Sequence, residues 1–344
     1  MNKLLATLLL TTSVLWSAVC LAQDDAVFSK KTGTPTRGLI SAVSPQQVTI
    51  QTTGIARNIE VKDILKVTFG DEPSELTTAR QRALAGQFGD AIEELGKVNE
   101  AEITNDVIKQ DVVYYRAYSG AKHAMSSGGD KKAAQDQLYA FVSANPNSFH
   151  FFEAAELLGD LAFARADYAG AARFYGGLAR APWKEYELRA YVLQARSMSA
   201  EGKYAEALPG FEQVLTSGLT TPEALEQKMH ATVGKAVCLA ATGKHDEGIQ
   251  IVEDLIAKND PADATLFGRA YNALGACYMK TGKTKEALLA FLHTDVLFYR
   301  DPETHAEALF HLSKLWGDVG KSDRAVRARG LLTSQYAGSR WAAQ

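Results

Sequence analysis

The sequence predicts a mainly α-helical chain, an α-solenoid of about seven helical hairpins preceded by a small antiparallel β domain. Three observations predict it. Apolar residues tend to alternate between about Thr36 and Phe69, as in short half-buried strands. After Pro73 the apolar period lengthens to that of a helix and holds to the C-terminus. Within that helical region a small residue recurs every 36 to 43 residues, an internal repeat. Composition agrees with a globular or repeat protein: 344 residues, 46% hydrophobic and 22% charged, with 3 Cys. Collagen-like, wholly disordered and disulfide-stapled chains are excluded. With 37 basic and 40 acidic residues the net charge is −3, so nothing draws the chain as a whole to nucleic acid or anionic lipid.

Residues 1–22 read as an export signal. Lys3 supplies a positive start, an uncharged and largely apolar run extends from Leu4 to Val19, and Cys20-Leu21-Ala22 offers small residues at −3 and −1 before polar Gln23-Asp24-Asp25. Lipid attachment at Cys20 is disfavoured, because Val19 rather than a small residue precedes it. No later stretch reaches the ~18–20 apolar residues that span a bilayer. The mature protein is therefore expected to be exported, periplasmic or secreted, with no integral membrane span.

Residues 23–35 read as a flexible linker and 36–72 as the β unit. Its strands are Arg37–Val43, Val48–Thr52, Arg57–Val61 and Ile64–Phe69, separated by Ser44-Pro45, Thr53-Gly54 and Lys62-Asp63. Val48 and Ile50, and Leu65, Val67 and Phe69, are expected to point to one face. A unit of about 40 residues has a marginal core and is expected to lean on its neighbour or on a partner chain. The strand pattern resembles a small SH3-like or Sm-like β-barrel.

From residue 73 to 344 each repeat has a first (A) helix, a turn often containing Gly, and a second (B) helix with a small residue five positions after the turn. The clearest copy holds Tyr271, Leu274, Gly275, Tyr278, Gly282, Ala287 and Phe291. Small residues let the two helices approach, and larger ones fill the space around the contact. The small B-helix residue recurs as Ala91, Ala134, Ala171, Ala207, Gly248, Ala287 and Ala325, and the turn holds Gly86, Gly129, Gly202, Gly243, Gly282 and Gly320. Thr221-Pro222-Glu223 and Asp301-Pro302-Glu303 are expected to start helices, with Pro in the first turn. The seven residues of the clearest copy match positions 4, 7, 8, 11, 15, 20 and 24 of the tetratricopeptide repeat (TPR). The chain resembles TPR proteins, with repeats somewhat longer than the family's 34 residues. The ending Tyr336-Ala337-Gly338-Ser339-Arg340-Trp341-Ala342 is similar to repeat ends in exported bacterial cell-envelope TPR proteins.

Catalytic patterns are weak. Gly282-Lys283-Thr284 lacks the earlier Gly of a phosphate-binding loop, since that position is Cys277. The seven histidines form no metal-ligand spacing, and neither a nucleophile elbow nor a paired-carboxylate site is recognisable. No cofactor or metal is implied. Cys238 and Cys277 fall at equivalent points of neighbouring A helices, ~8–10 Å apart, and read as buried thiols rather than a disulfide. Tyr114, Tyr115 and Tyr118, with Phe149, Phe151 and Phe152, read as inter-repeat core. Lys321, Arg324 and Arg327 read as the polar cap of the last repeat.

A solenoid of this kind binds along the concave wall formed by its A helices. The resemblance implies partner contacts at Arg189, Val192, Arg196 and Ser199 in the fourth repeat, and at His230, Val233 and Val237 in the fifth. The sixth contributes Arg269, Asn272, Ala276, Met279 and Lys280. Glu153, Glu156 and Asp160 make the third repeat acidic. The expected function is an exported, non-enzymatic scaffold holding a protein or peptide in that groove, with no nucleic-acid partner. The alternative is a structural cell-envelope assembly component acting through oligomerisation and the β unit.

Overall fold

The computed structural model describes residues 24–261 and 263–344. The expected export signal and Cys20 lie outside the described residues. Five strands form one antiparallel sheet: β1 (Asp25–Ser29), β2 (Thr36–Val43), β3 (Gln47–Thr52), β4 (Ile55–Glu60) and β5 (Ile64–Thr68), in the order β4-β3-β2-β1-β5. The segment expected to be a linker therefore contains a central strand. Ala26 pairs with Arg37 on one side, Val27 with Val67 on the other, and both side chains are buried. The Asp25 carboxylate fixes this strand by accepting from the backbone N–H of Ile40 (2.7 Å) and of Gly70 (2.9 Å).

β2 pairs with β1 through its first half and with β3 through its second, and Gly38 lies where the two ladders meet. A Cβ there would fall 1.9 Å from the Gln51 carbonyl oxygen, so only glycine fits. Thr53 and Gly54 both have positive φ (44° and 86°), the conformation of a tight type I′ hairpin turn. Val48 and Ile50 are buried as expected, but Leu65 is 52% exposed. A bulge opposite Phe28–Ser29 leaves Leu65 unpaired and reverses the alternation, so Ile64 joins Val67 in the core. The inner face continues without a break into the first helix, where Val48, Ile50, Val67 and Phe69 share one core with Leu76 and Ala79.

Fourteen α-helices follow among the described residues, as seven consecutive hairpins: α1 (Ser74–Leu84) with α2 (Phe88–Gly96), α3 (Asp106–His123) with α4 (Lys131–Ala144), and α5 (Phe151–Ala164) with α6 (Tyr168–Gly176). Next come α7 (Lys184–Ala200) with α8 (Tyr204–Leu215), α9 (Pro222–Ala241) with α10 (His245–Lys258), α11 (Ala264–Lys280) with α12 (Thr284–Leu297), and α13 (Pro302–Asp318) with α14 (Ser322–Gln335). Each first helix packs on its own second helix, and most also pack side by side on the next first helix, most extensively α7 on α9 and α9 on α11. This is an α-solenoid of the TPR type.

The repeat residues do what packing requires. Ala91, Ala171, Ala207 and Ala287 are fully buried, whereas Ala325 in the seventh hairpin is only half-buried. Tyr175 and Phe291 fill the space opposite Gly159 and Gly275; a Cβ on those glycines would lie 2.4 and 2.7 Å from the rings. Thr221 and Asp301 cap α9 and α13 through side-chain bonds to the N–H of Ala224 (3.2 Å) and Thr304 (2.9 Å). Cys238 and Cys277 are buried and unpaired, and burial pushes the Cys277 thiol up to about 11.

Two turns depart from the repeat. In the second hairpin Gly128, not Gly129, is left-handed, because α3 runs on into a wider π-helical turn over Ala124–Gly128. In the third, Ala166 occupies the left-handed position (φ 60°) that glycine holds in five other hairpins.

The first three hairpins are bolted together by buried charge. Arg80 of α1 donates from Nη1 and Nη2 to the two Glu72 oxygens (2.7 and 2.8 Å), and from Nη2 to Asp111 Oδ2 on α3 (2.5 Å). Asp111 Oδ1 lies 2.6 Å from Nε2 of His150 at the start of α5, whose ring stacks on Tyr114 at 3.6 Å. Burial alone would raise the Asp111 pKa, but the Arg80 charge and the His150 hydrogen bond hold it below the usual carboxylate range. Burial alone would lower that of His150, but its hydrogen bond to Asp111 and the nearby Glu153 carboxylate raise it above the usual 6.5.

Two outcomes are expected. A raised histidine pKa contributes stability that is present in full below 6.5 and lost as pH rises through the folded-state value. The urea midpoint of wild type should therefore lose ground to that of His150→Gln as pH rises past 6.5, in urea melts from pH 5.5 to 8.5. Ala166→Gly removes the left-handed strain at the cost of some unfolded-state entropy, and should stabilise the chain by about 0.5–1 kcal/mol in the same melts.

Candidate functional site

The first helices of the hairpins enclose a cavity of about 520 Å³, within the size range of pockets that hold a small ligand or a short peptide segment. Helical spacing aims the side chains. Tyr118 and Lys122 on α3, Glu156 and Asp160 on α5, and Glu226 and His230 on α9 are pairs four residues apart, one above the other on a helix face. Arg189, Val192 and Arg196 form the same kind of stripe on α7, and Arg269 joins them from α11. Phe163 and Leu193 supply apolar wall.

The carboxylates of this wall have partners within the fold. Glu156 accepts from Arg189 Nη2 at 2.6 Å, Asp160 accepts from the Tyr175 hydroxyl at 2.8 Å, and Glu226 stands 3.8 Å from His230 Nε2. Asp301 caps α13. Glu303 accepts from Arg340 Nε (2.8 Å) and Trp341 Nε1 (3.0 Å). Burial and the neighbouring Asp160 raise the Glu156 pKa despite Arg189, whereas the nearby His230 lowers that of Glu226. Burial keeps His230 below 6.5, with the Arg269 charge acting in the same direction.

The segment after α14 closes the superhelix. Gly338 packs so tightly on the turn after α3 that a Cβ would fall 2.6 Å from the Gly128 nitrogen. Beyond it, Arg340 Nη1 donates to the Tyr168 hydroxyl on α6 (3.1 Å). Its guanidinium also lies 4.8 Å from the Phe163 ring centre and 4.4 Å from that of Trp341. Tyr336 and Ser339 of this tail line the cavity.

Of the residues singled out in the sequence, the structure brings Arg189, Val192, Arg196, His230 and Arg269 together in the cavity, with Glu156 and Asp160 opposite. It does not bring the others there. Val233 is buried in the core that α9 and α10 share with α11. Asn272 is 2% exposed and uses its Nδ2 hydrogens to tie α11 to α13, through the Thr304 carbonyl (2.8 Å) and Glu307 Oε2 (3.0 Å). Each follows a cavity residue by three positions, a rotation of about 60° around the helix, which here carries the side chain into a seam between helices. Met279 and Lys280 are exposed at the far end of α11, away from the cavity wall.

Lys122, Phe163, Leu193, Glu226, Glu303 and the tail are among the cavity residues that sequence reasoning missed. Phe163 stands eight residues before Ala171, a spacing that the repeat places on the groove. Lys122 stands where the repeat expects a small residue and carried no signal. No group of three or more His, Cys, Asp or Glu that could hold a metal occurs among the described residues, nor does a helix long and apolar enough to cross a membrane.

No family model matches the chain, and no curated protein matches it in sequence. Solved structures do share its fold. A tetratricopeptide repeat protein from Parabacteroides merdae is 18% identical, covering 76% of this chain and 91% of its own, with a TM-score of 0.52. NprR in complex with its cognate peptide NprX is 15% identical over 74% of each chain, with a TM-score of 0.55. Rap protein complexed with Competence and Sporulation Factor is 15% identical, covering 78% of this chain and 76% of its own, with a TM-score of 0.51. The likeness shows the fold, a TPR-like solenoid.

The tail's role is checked directly. Arg340→Ala removes a charge-assisted bond to Glu303, the Tyr168 bond and two ring contacts, and is expected to cost about 1–2 kcal/mol of local stability. Amide exchange should speed up in the tail and around Tyr168 and Glu303, and stay unchanged in the β-sheet.

Proposed function

We propose that this chain is an exported, non-catalytic scaffold that holds a peptide, or a peptide-like segment of a protein, in the cavity of its solenoid. The observation that carries the reading is the cavity itself. It draws charged side chains from first helices of six hairpins and sets them beside apolar wall from Val192, Leu193 and Phe163. Such a surface suits an extended or helical segment, with burial from the apolar part and orientation from the charges. NprR and Rap, two structures of similar fold, are complexed with a cognate peptide and with Competence and Sporulation Factor. Lys3, the apolar run from Leu4 to Val19 and the small residues before Gln23 support export, and with it a periplasmic or secreted location.

The test is in-cell crosslinking of the wild-type chain in its native host beside Arg189→Glu/Arg269→Glu. Loss of a specific crosslink in the double variant is expected, with the retained partner named by mass spectrometry. An unchanged pattern, accompanied by a stable oligomer that depends on the β-sheet, would replace this reading with a structural envelope-assembly role.

A further inference from the structure

The charges of the cavity are unequal in one respect. Its carboxylates are held by partners within the fold, as Glu156 is by Arg189, Asp160 by Tyr175, Asp301 by the α13 cap and Glu303 by Arg340 and Trp341. Three cations are left over. Lys122, Arg196 and Arg269, from α3, α7 and α11, all line the cavity and are all half-buried. Among the described residues none has a carboxylate at salt-bridge distance, and none donates a hydrogen bond from its side chain. Two of them lie near rings: Arg196 is 4.5 Å from the centre of Phe163, and Lys122 Nζ is 5.9 Å from that of Tyr118.

A half-buried guanidinium without a partner has given up part of its hydration for nothing, and two that face one cavity also repel each other. The electrostatics of Arg269 agree with this. Burial lowers its pKa and Arg196 lowers it further, while Asp301 and Asp160 act on it only from beyond contact distance. An anion between the two would restore the lost interactions, and a carboxylate is planar and forked as a guanidinium is, so it accepts two parallel hydrogen bonds.

Resting on the peptide-binding reading above, we propose that Arg196 and Arg269 form a carboxylate site for the ligand of this cavity, with Lys122 as a third cation. The ligand is then a peptide segment that presents an acidic group, either an Asp or Glu side chain or a free C-terminus. Arg189 differs from this pair because Glu156 already holds it.

The probe is a pool of random heptapeptides in two forms, one with free C-terminal acids and one with C-terminal amides, passed over the immobilised chain. Enrichment of Asp and Glu in both bound pools is expected if a side chain is read, and binding of the acid form alone if the C-terminus is read. For the best-bound peptide, Arg196→Gln/Arg269→Gln should raise Kd about tenfold or more, and Lys122→Gln should raise it less. Circular dichroism confirms that the variants are folded, and the comparison of acid with amide needs no variant at all. Peptides that bind without preference for acidic groups, and equally as acid or amide, would overturn the carboxylate site and leave peptide binding standing. No retention of either pool would overturn both.

Discussion

The Arg80 side chain is 1% exposed, and a charge so placed is tolerable only with partners in good geometry. Its partners come from both directions along the chain. Glu72 follows the last strand and also accepts from the Phe69 N–H at 3.0 Å, while Asp111 belongs to the second hairpin and passes the contact on to His150 at the start of the third. One cation thus fixes the end of the sheet and three hairpins in a single arrangement. Removing one partner of such a pair typically costs about 3–5 kcal/mol, several times what a surface ion pair contributes. The sheet is for this reason part of the solenoid rather than an appendage to it, and the apolar core running from Val48 to Leu76 and Ile108 has no boundary between the two.

From that anchored end the remaining hairpins are positioned by shape more than by charge. Glycine or alanine on one helix faces an aromatic ring on the next, as Gly159 does Tyr175 and Gly275 does Phe291. That contact, recurring from hairpin to hairpin, sets how closely each first helix lies on its second. Polar groups are relieved of that structural duty on the concave side, and there the cavity has gathered its charges. The exception is Asn272, a polar residue that the seam between α11 and α13 has captured.

Much of this could be read in the residues, for reasons that are local. A turn glycine followed five residues later by alanine is a short-range pattern, and Gly282 with Ala287 displays both in one hairpin. Four of the five strands likewise follow from alternation and from Thr53-Gly54. What could not be read depends on distant or one-residue events. β1 is five residues long and is a strand because β2 and β5 flank it; Ala26-Val27-Phe28 was its only signal. A single bulge moved Leu65 out and Ile64 in. In the site, Arg189, Arg196 and Arg269 were legible from repeat position. Val233 and Asn272 were misplaced by one 60° step that only the packing of neighbouring helices decides. The contact of Arg340 with Tyr168 joins residues 172 positions apart, a distance at which sequence pattern is silent.

That last contact changes how the molecule comes apart. An open solenoid is a row of nearest-neighbour interfaces, and it can fray from either end one hairpin at a time. Here the final residues are tied to the second and third hairpins, so the terminal repeat cannot peel away without first breaking contacts made near the other end of the array. Unfolding should then lose its piecemeal character and approach a single cooperative event, while folding acquires a loop closure of long range and slows accordingly. The row has become a circuit.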